Sequence, residues 1–353
     1  MHILYYDDIP QELETYSQVL ERKLHATVTK AMPPSDLVLD HLPTDLDLIL
    51  IDYELTQKAG TTAPAPYRGG TLASRLAEVY PDLPLVALSR PSIFRRLNVT
   101  PEKLRALDDW LFKENLRLDP GTISKLQGLV AGFGTLRGAN TRNWKSLLQV
   151  MKIRPNEEDL LKAVGPPLRV PTQDNRAVWT VHEAADWIRK IIMAFPGIVY
   201  DSAFASAGLG ITEDSFLHRT QELFNEARYV GVFGDEFARW WRGRLFEVAQ
   251  KVIARAGLNG PIPNTFSVAF EELYDKKLEP SKCVFSGEPH ADTICYLLRT
   301  PVKREYTLEY LPDNRPSVME SARVSFKAIR ESNQFDQDLL PASSKPLVRG
   351  IRK

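Results

Sequence analysis

Cysteine is nearly absent from this chain: 353 residues contain two, Cys283 and Cys295. Two thiols cannot supply the disulfide framework that small secreted domains use in place of a large core. An excess of one charge is missing too. Forty-five basic residues balance 45 acidic ones, so no global field calls for nucleic acid or an acidic membrane. Long hydrophobic runs are lacking, and none approaches the roughly 18 residues of a membrane-spanning helix. The opening MHILYYDDIP has acids where a secretory leader needs a longer apolar core, which leads to the expectation of a cytoplasmic protein. There is no internal repeat and no low-complexity segment. What remains is an ordinary soluble composition, 43% apolar and 25% charged, on a chain long enough for two or three cores. Residues 1–118 carry 17 acidic against 13 basic side chains, a small negative excess that the remainder balances.

The most informative stretch is Leu46–Leu55, LDLILIDYEL. A short apolar run bounded by turn residues fits a strand buried on both faces, as in parallel sheets. It runs into Asp52, and open α/β sheets place their ligands at the carboxyl ends of such strands. Similar short strands are predicted at His2–Tyr6, Ala26–Lys30, Leu83–Ser89 and Asp109–Phe112. Between and after them, helical spacing covers Gln11–Lys23 and Gly69–Tyr80, with shorter helices at Ser35–His41 and Pro101–Leu107. A closing helix begins at Pro120. Alternating strands and helices imply right-handed βαβ units and a doubly wound parallel sheet of order 2-1-3-4-5. On that sheet Asp7, Asp8, Asp52, Ser89 and Lys113 all fall on the carboxyl-end rim.

Three carboxylates on one rim repel one another and call for a cation. Hard oxygen ligands with room for water suit Mg²⁺. A metal-bound aspartate beside a lysine and a hydroxyl is equipped to accept a phosphoryl group, because metal and lysine neutralise charge on the transferring oxygens.

Residues 1–136 resemble the receiver domain of bacterial response regulators. The resemblance rests on the acidic pair Asp7–Asp8, Asp52 as phosphoacceptor, Ser89 as the hydroxyl, Lys113, and the segment ALDDWLFK with Trp110 at the switch aromatic. It implies a phosphorylation-dependent switch. A histidine kinase or phosphotransfer protein donates to Asp52. Mg²⁺ is held by Asp8, Asp52 and the backbone carbonyl of Glu54, with Asp7 assisting through water. Lys113 pairs with the phosphoryl oxygens, and Ser89 and Trp110 reorient. A homodimer through this domain is a further expectation. Three features depart from the family's pattern. Thr56–Tyr67 looks like an insertion of about ten residues. Arg90 stands where a small residue usually follows the hydroxyl, placed to shield the site or hold a phosphate. Glu114 replaces the proline that usually follows the lysine in a cis bond.

Beyond residue 136 the reading is coarser. A linker with short helices is expected over 137–177, a mainly helical output or interaction domain over 178–332 with short strands after 260, and a flexible tail over 333–353. Single helices are predicted at Thr180–Ala194, with a capping box from Thr180 and Glu183, at Glu213–Tyr229 and at Asp235–Arg255. VWTVHEAADWI resembles the start of a helix-turn-helix, but no second helix follows at the needed spacing. In RWWRGRLF the tryptophans fit a helix core better than a nucleic-acid surface. Cys283, His290, Asp292 and Cys295 lack the paired spacing of structural zinc. No Walker, HD, GGDEF or histidine-kinase signature is present. An adaptor output with an unknown downstream protein partner is therefore expected, ahead of a DNA-binding regulator and of a phosphorylation-independent docking scaffold or effector of another activity. No enzymatic reaction beyond phosphotransfer to the chain itself is anticipated.

Overall fold

The computed structural model of the chain describes residues 1–33, 39, 43–55, 67–91, 107–139, 143–167, 170–171, 177–310 and 319–352. Most of the short helices expected at 35–41 and 101–107, most of the 56–67 insertion and the turn at 312–314 lie outside these residues.

The amino-terminal part is a five-stranded parallel sheet flanked by helices. Its strands are β1 (His2–Tyr6), β2 (Thr27–Ala31), β3 (Leu48–Asp52), β4 (Leu85–Ser89) and β5 (Asp109–Phe112), in the order β2-β1-β3-β4-β5. Every residue of β3 and β4 is buried, as the unbroken apolar runs require when both faces of a sheet are covered. Register levels the strand ends: Tyr6 pairs with Ile51, Asp52 with Leu88 and Ser89 with Phe112. The chain therefore leaves β1, β3, β4 and β5 on one rim.

Helix α1 (Pro10–Leu24) buries Leu13, Tyr16, Val19, Leu20 and Leu24, one stripe at helical spacing. Proline opens it and His25 closes it in the left-handed region. Helix α2 (Gly69–Val79) buries Leu72, Ala73 and Leu76. Lys113 opens α3 (Lys113–Leu118) directly from β5, and Asp119 caps α4 (Pro120–Gly138) by accepting from Gly121 N.

Contacts divide the chain into two compact units. One comprises Met1–Ile153, Pro167–Trp187 and Gly231–Glu236; the other comprises Arg154–Pro166, Ile188–Val230 and Phe237–Lys353. The units are thus interleaved along the chain and do not follow boundaries at 136 and 177. In the first unit, α4 continues to Gly138 and the next helix, α5, spans Trp144–Val150. Gly132 of α4 explains part of the interleaving: a Cβ there would lie 2.0 Å from the Phe233 ring.

The second unit is mainly helical with two-stranded pieces. It contains α6 (Pro155–Val164), α8 (Ser202–Gly208), α9 (Glu213–Arg219), α10 (Arg242–Arg255), α11 (Ile262–Tyr274), α12 (Phe326–Glu331) and α13 (Leu347–Arg352). One core gathers Phe204, Phe216, Phe224, Leu245, Val252 and Phe266; another gathers Cys283, Cys295, Val302, Tyr310 and Val324.

Several elements differ from the sequence expectation. Thr180–Ala194 is not one α-helix: α7 covers Val181–Asp186 and a π-helix takes Trp187–Ile192. Its capping box is present, with Thr180 N donating to Glu183 Oε2 at 2.6 Å and Glu183 N donating to Thr180 Oγ1 at 3.2 Å. The helix expected over Asp235–Arg255 begins only at Arg242. Trp240–Trp241 is a strand antiparallel to Val199–Tyr200, and both tryptophans are buried there. Glu213–Tyr229 breaks at Arg219 and resumes as a single 3₁₀ turn at Asn225–Ala227. Helix α11 has no counterpart in the sequence reading, and the short strands expected after residue 260 include Thr293–Ile294, Thr307–Tyr310 and Ala322–Ser325. The stretch expected as a flexible tail packs instead, burying Leu340 and Val348 in the second core. Among the described residues no helix is long and apolar enough to cross a membrane.

Candidate functional site

The carboxyl ends of β1 and β3 bring Asp7, Asp8 and Asp52 together. A carboxylate oxygen from each lies within 4.8 Å of the others, and all three residues are buried. Lys113, just after β5, reaches the same group at 2% exposure. Its Nζ lies 2.8 Å from Asp7 Oδ2, 2.7 Å from Glu12 Oε2 and 3.2 Å from Asp52 Oδ2. A lysine is almost never buried so deeply unless carboxylates face it, and here three do.

Asp7 is the most firmly held member. Its Oδ1 accepts from Ile9 N at 2.9 Å, and its Oδ2 accepts from the Tyr5 hydroxyl at 2.5 Å as well as from Lys113. Burial, and then the adjoining Asp7 carboxylate, hold the Tyr5 hydroxyl well above its ordinary range, so it stays a donor. Asp52 feels opposing influences. Burial raises its carboxyl, Lys113 lowers it, and the charges of Asp7 and Asp8 raise it again; the balance stands at about 7.

The other predicted positions surround this centre. Ser89 is 1% exposed at the end of β4, and its Oγ donates to the Arg90 carbonyl at 3.4 Å. Glu54 is buried two residues beyond Asp52. Trp110 stacks on Tyr53, the neighbour of Asp52, with ring centroids 6.3 Å apart and planes 12° from parallel; it meets Phe112 edge-on at 5.8 Å. Arg90 is half exposed and forms an ion pair with Glu12.

Three contributors escaped the sequence reading. Glu12, in the first turn of α1, bridges Lys113 and Arg90. Nothing in its spacing signals this, because its partners lie far along the chain. Tyr5 lies inside β1, where the sequence carries no sign of its bond to Asp7. Gly69 opens α2 against the strand end: a Cβ there would lie 2.4 Å from the Asp52 carbonyl oxygen, and its N–H donates to the Tyr53 carbonyl at 3.0 Å. A glycine opening a helix after a loop was the available signal.

The donor set fits a small hard cation. Three carboxylates converge with no nitrogen or sulfur ligand among them, the chemistry that suits Mg²⁺. The other predicted cluster looks different. Cys283 and Cys295 are buried free thiols. Cys283 Sγ accepts from Lys303 N at 3.4 Å, whereas Cys295 Sγ accepts from Ser325 N at 3.3 Å. Burial raises the Cys283 thiol, but the N–H groups aimed at its sulfur leave it net lowered.

No family model and no curated protein matches the chain. Solved structures similar to part of it include three described as response-regulator proteins. A response regulator receiver domain protein from Clostridium thermocellum is 14% identical, covering 39% of this chain and 96% of that one at a TM-score of 0.27. The amino-terminal domain of a response regulator/sensory box/GGDEF three-domain protein from Carboxydothermus hydrogenoformans is 22% identical, covering 40% and 98% at 0.26. A response regulator receiver protein from Sinorhizobium medicae is 19% identical, covering 38% and 93% at 0.25. At these values the likenesses carry no statement about chemistry, and the strand order stands on this chain's own backbone pairing.

Proposed function

We propose that the amino-terminal sheet is a phosphoacceptor switch of the response-regulator type, and that the rest of the chain is its output, acting on a protein partner. The observation that carries the reading is the approach of Lys113 Nζ to within 3.2 Å of Asp52, beside a buried group of three carboxylates. A buried cluster of charges with a strongly raised carboxyl marks a functional site, and phosphoryl and metal chemistry both use such a cluster.

In this reading Asp52 is the nucleophile. One of its oxygens attacks phosphorus, the bond from phosphorus to the donor breaks, and the bonding pair leaves with the donor, a histidine imidazole of a kinase or phosphotransfer protein. Asp8, Asp52 and the Glu54 carbonyl would hold Mg²⁺, with Asp7 reached through water; Asp7's fixed bonds to Tyr5 and Ile9 suit that outer place. When bound, the ion neutralises the carboxylates and the transferring oxygens. Lys113 donates to the phosphoryl group, and Ser89 turns from the Arg90 carbonyl to do the same. Trp110, stacked on the residue after Asp52, reports the change to the face made by β5 and its neighbouring helices.

Intact-protein mass spectrometry after incubation with acetyl phosphate and Mg²⁺ tests this. The wild type is expected to gain one phosphoryl group, and Asp52→Asn and a chelator-treated sample none. A wild type that gains nothing from acetyl phosphate or from a panel of phosphorylated histidine kinases would replace the switch by a phosphorylation-independent docking scaffold.

A further inference from the structure

Lys113 has three N–H donors, and three carboxylates face them: Asp7 at 2.8 Å, Glu12 at 2.7 Å and Asp52 at 3.2 Å. A phosphoryl oxygen on Asp52 can gain a bond from Lys113 only by displacing one of them. Asp52 itself carries the group. Asp7 is fully buried and tied to Tyr5 and Ile9. Glu12 is different. It lies at the outer edge at 13% exposure, on a side chain with several rotamers, and its second oxygen is engaged by the half-exposed Arg90.

We propose that Glu12 is a positioning residue, a resident counter-charge that holds Lys113 with one oxygen and Arg90 with the other until a phosphoryl group on Asp52 displaces it and takes both cations. This inference rests on the phosphoacceptor reading and deepens it by naming what the phosphoryl group must compete with.

Charge counting agrees. Four carboxylates (Asp7, Asp8, Glu12 and Asp52) face two cations, Lys113 and Arg90, a formal sum of −2 that a divalent cation brings to zero. Transfer of a phosphoryl group makes the rim negative again. Glu12 is the carboxylate able to swing to solvent and relieve that. Its departure also frees the first turn of α1, where it sits. Phosphorylation is then felt at the amino end of α1 as well as at Trp110. Arg90 takes part as well, moving from Glu12 to the phosphoryl oxygens, where an arginine fork binds well.

In the test reaction an Asp52 oxygen attacks the phosphorus of acetyl phosphate, the P–O bond to the acetyl group breaks, and acetate leaves with the electron pair. Initial rates of phosphoryl gain at subsaturating acetyl phosphate with Mg²⁺ are compared for the full-length wild type, Glu12→Gln, Arg90→Ala and the double variant. Circular dichroism serves as the check that each is folded. Glu12→Gln is expected to react on the order of tenfold faster, the size of one charged hydrogen bond no longer competed for. In the Arg90→Ala background the same substitution is expected to gain less, because only Lys113 is then left for Glu12 to hold. A Glu12→Gln rate equal to or below that of the folded wild type overturns the proposal while leaving the phosphoacceptor reading standing. So does an equal gain with and without Arg90. If no protein in the set is labelled by acetyl phosphate or by any phosphorylated kinase tried, the phosphoacceptor reading fails, and the proposal fails with it.

Discussion

Lys113 and Asp52 face each other across the rim of the sheet with 3.2 Å between Nζ and Oδ2, and both side chains are almost fully buried. Removing the lysine would leave several buried carboxylates without their nearest cation, a loss that typically costs about 3–5 kcal/mol. Lys113→Ala is therefore expected to lower the urea midpoint strongly in metal-free buffer. Adding Mg²⁺ should restore part of the loss, since a cation on the same carboxylates offsets the missing charge. A cost below about 1 kcal/mol, unchanged by Mg²⁺, would show that the carboxylates do not form the cluster described.

Gly69→Ala places a methyl group against backbone, not against a flexible side chain, because the nearest atom is the Asp52 carbonyl oxygen at 2.4 Å. The strand end cannot give way without moving Asp52. We expect a loss of roughly 1–3 kcal/mol together with slower phosphoryl labelling. Labelling at the wild-type rate in an equally stable variant would mean that the close approach at this helix start is not needed.

His182 supplies a pH dependence in the first unit. Its Nδ1 lies 3.1 Å from Asp108 Oδ1 and its Nε2 lies 3.4 Å from the Tyr80 carbonyl. Burial alone lowers the imidazole, but Asp108 and the Tyr80 carbonyl outweigh it, so the folded value lies above 6.5. A group raised on folding stabilises fully below its unfolded value, and the contribution is lost as pH climbs through the folded one. The stability difference between wild type and His182→Gln should thus be largest in mild acid and shrink above 6.5. Denaturant midpoints across that range measure it, and a difference that grows with pH would contradict the assignment.

The amino-terminal sheet was legible for a physical reason. Strands buried on both faces, such as LILID and LVALS, must be apolar throughout, and their polar neighbours mark where the sheet ends. The three acids, Ser89 and Lys113 could be placed from that alone. Trp240 and Trp241 misled because a helical reading buries one stripe. Two adjacent tryptophans lie about 100° apart on a helix, and pairing with Val199–Tyr200 buries both. Helix α11 carries its own signals, Pro261 before it and Phe266, Ala269 and Phe270 at helical spacing. Gly132 and Gly128 in α4 hinted at a partner close to the helix, since glycine inside a helix costs about 1 kcal/mol. That Phe233 and Glu236 were those partners no local pattern could say. Glu12 was hidden for the same reason: its role depends on cations brought to it by β4 and β5.

In the second unit Arg244 and Glu157 form a buried bidentate pair, with Nε 2.5 Å from Oε1 and Nη2 on the other oxygen. Arg244 also lies over the Trp241 ring, 5.5 Å from its centroid. Breaking one side strands a buried charge. Glu157→Ala is expected to cost about 3 kcal/mol or more, whereas Glu157→Leu with Arg244→Met, which removes both charges, should cost considerably less. Equal losses in the two proteins, measured by urea unfolding, would point to packing and not to charge as what the pair contributes.

Asp52 is the proposed phosphoacceptor, and locating the modified atom distinguishes it from its neighbours. Protein treated with acetyl phosphate and Mg²⁺ is reduced with borohydride, which converts an aspartyl phosphate to homoserine, and is then digested and sequenced by tandem mass spectrometry. Homoserine is expected at position 52 and at neither Asp7 nor Asp8. Homoserine at one of those two positions, or a phosphoryl group on a hydroxyl or histidine with position 52 untouched, would contradict it.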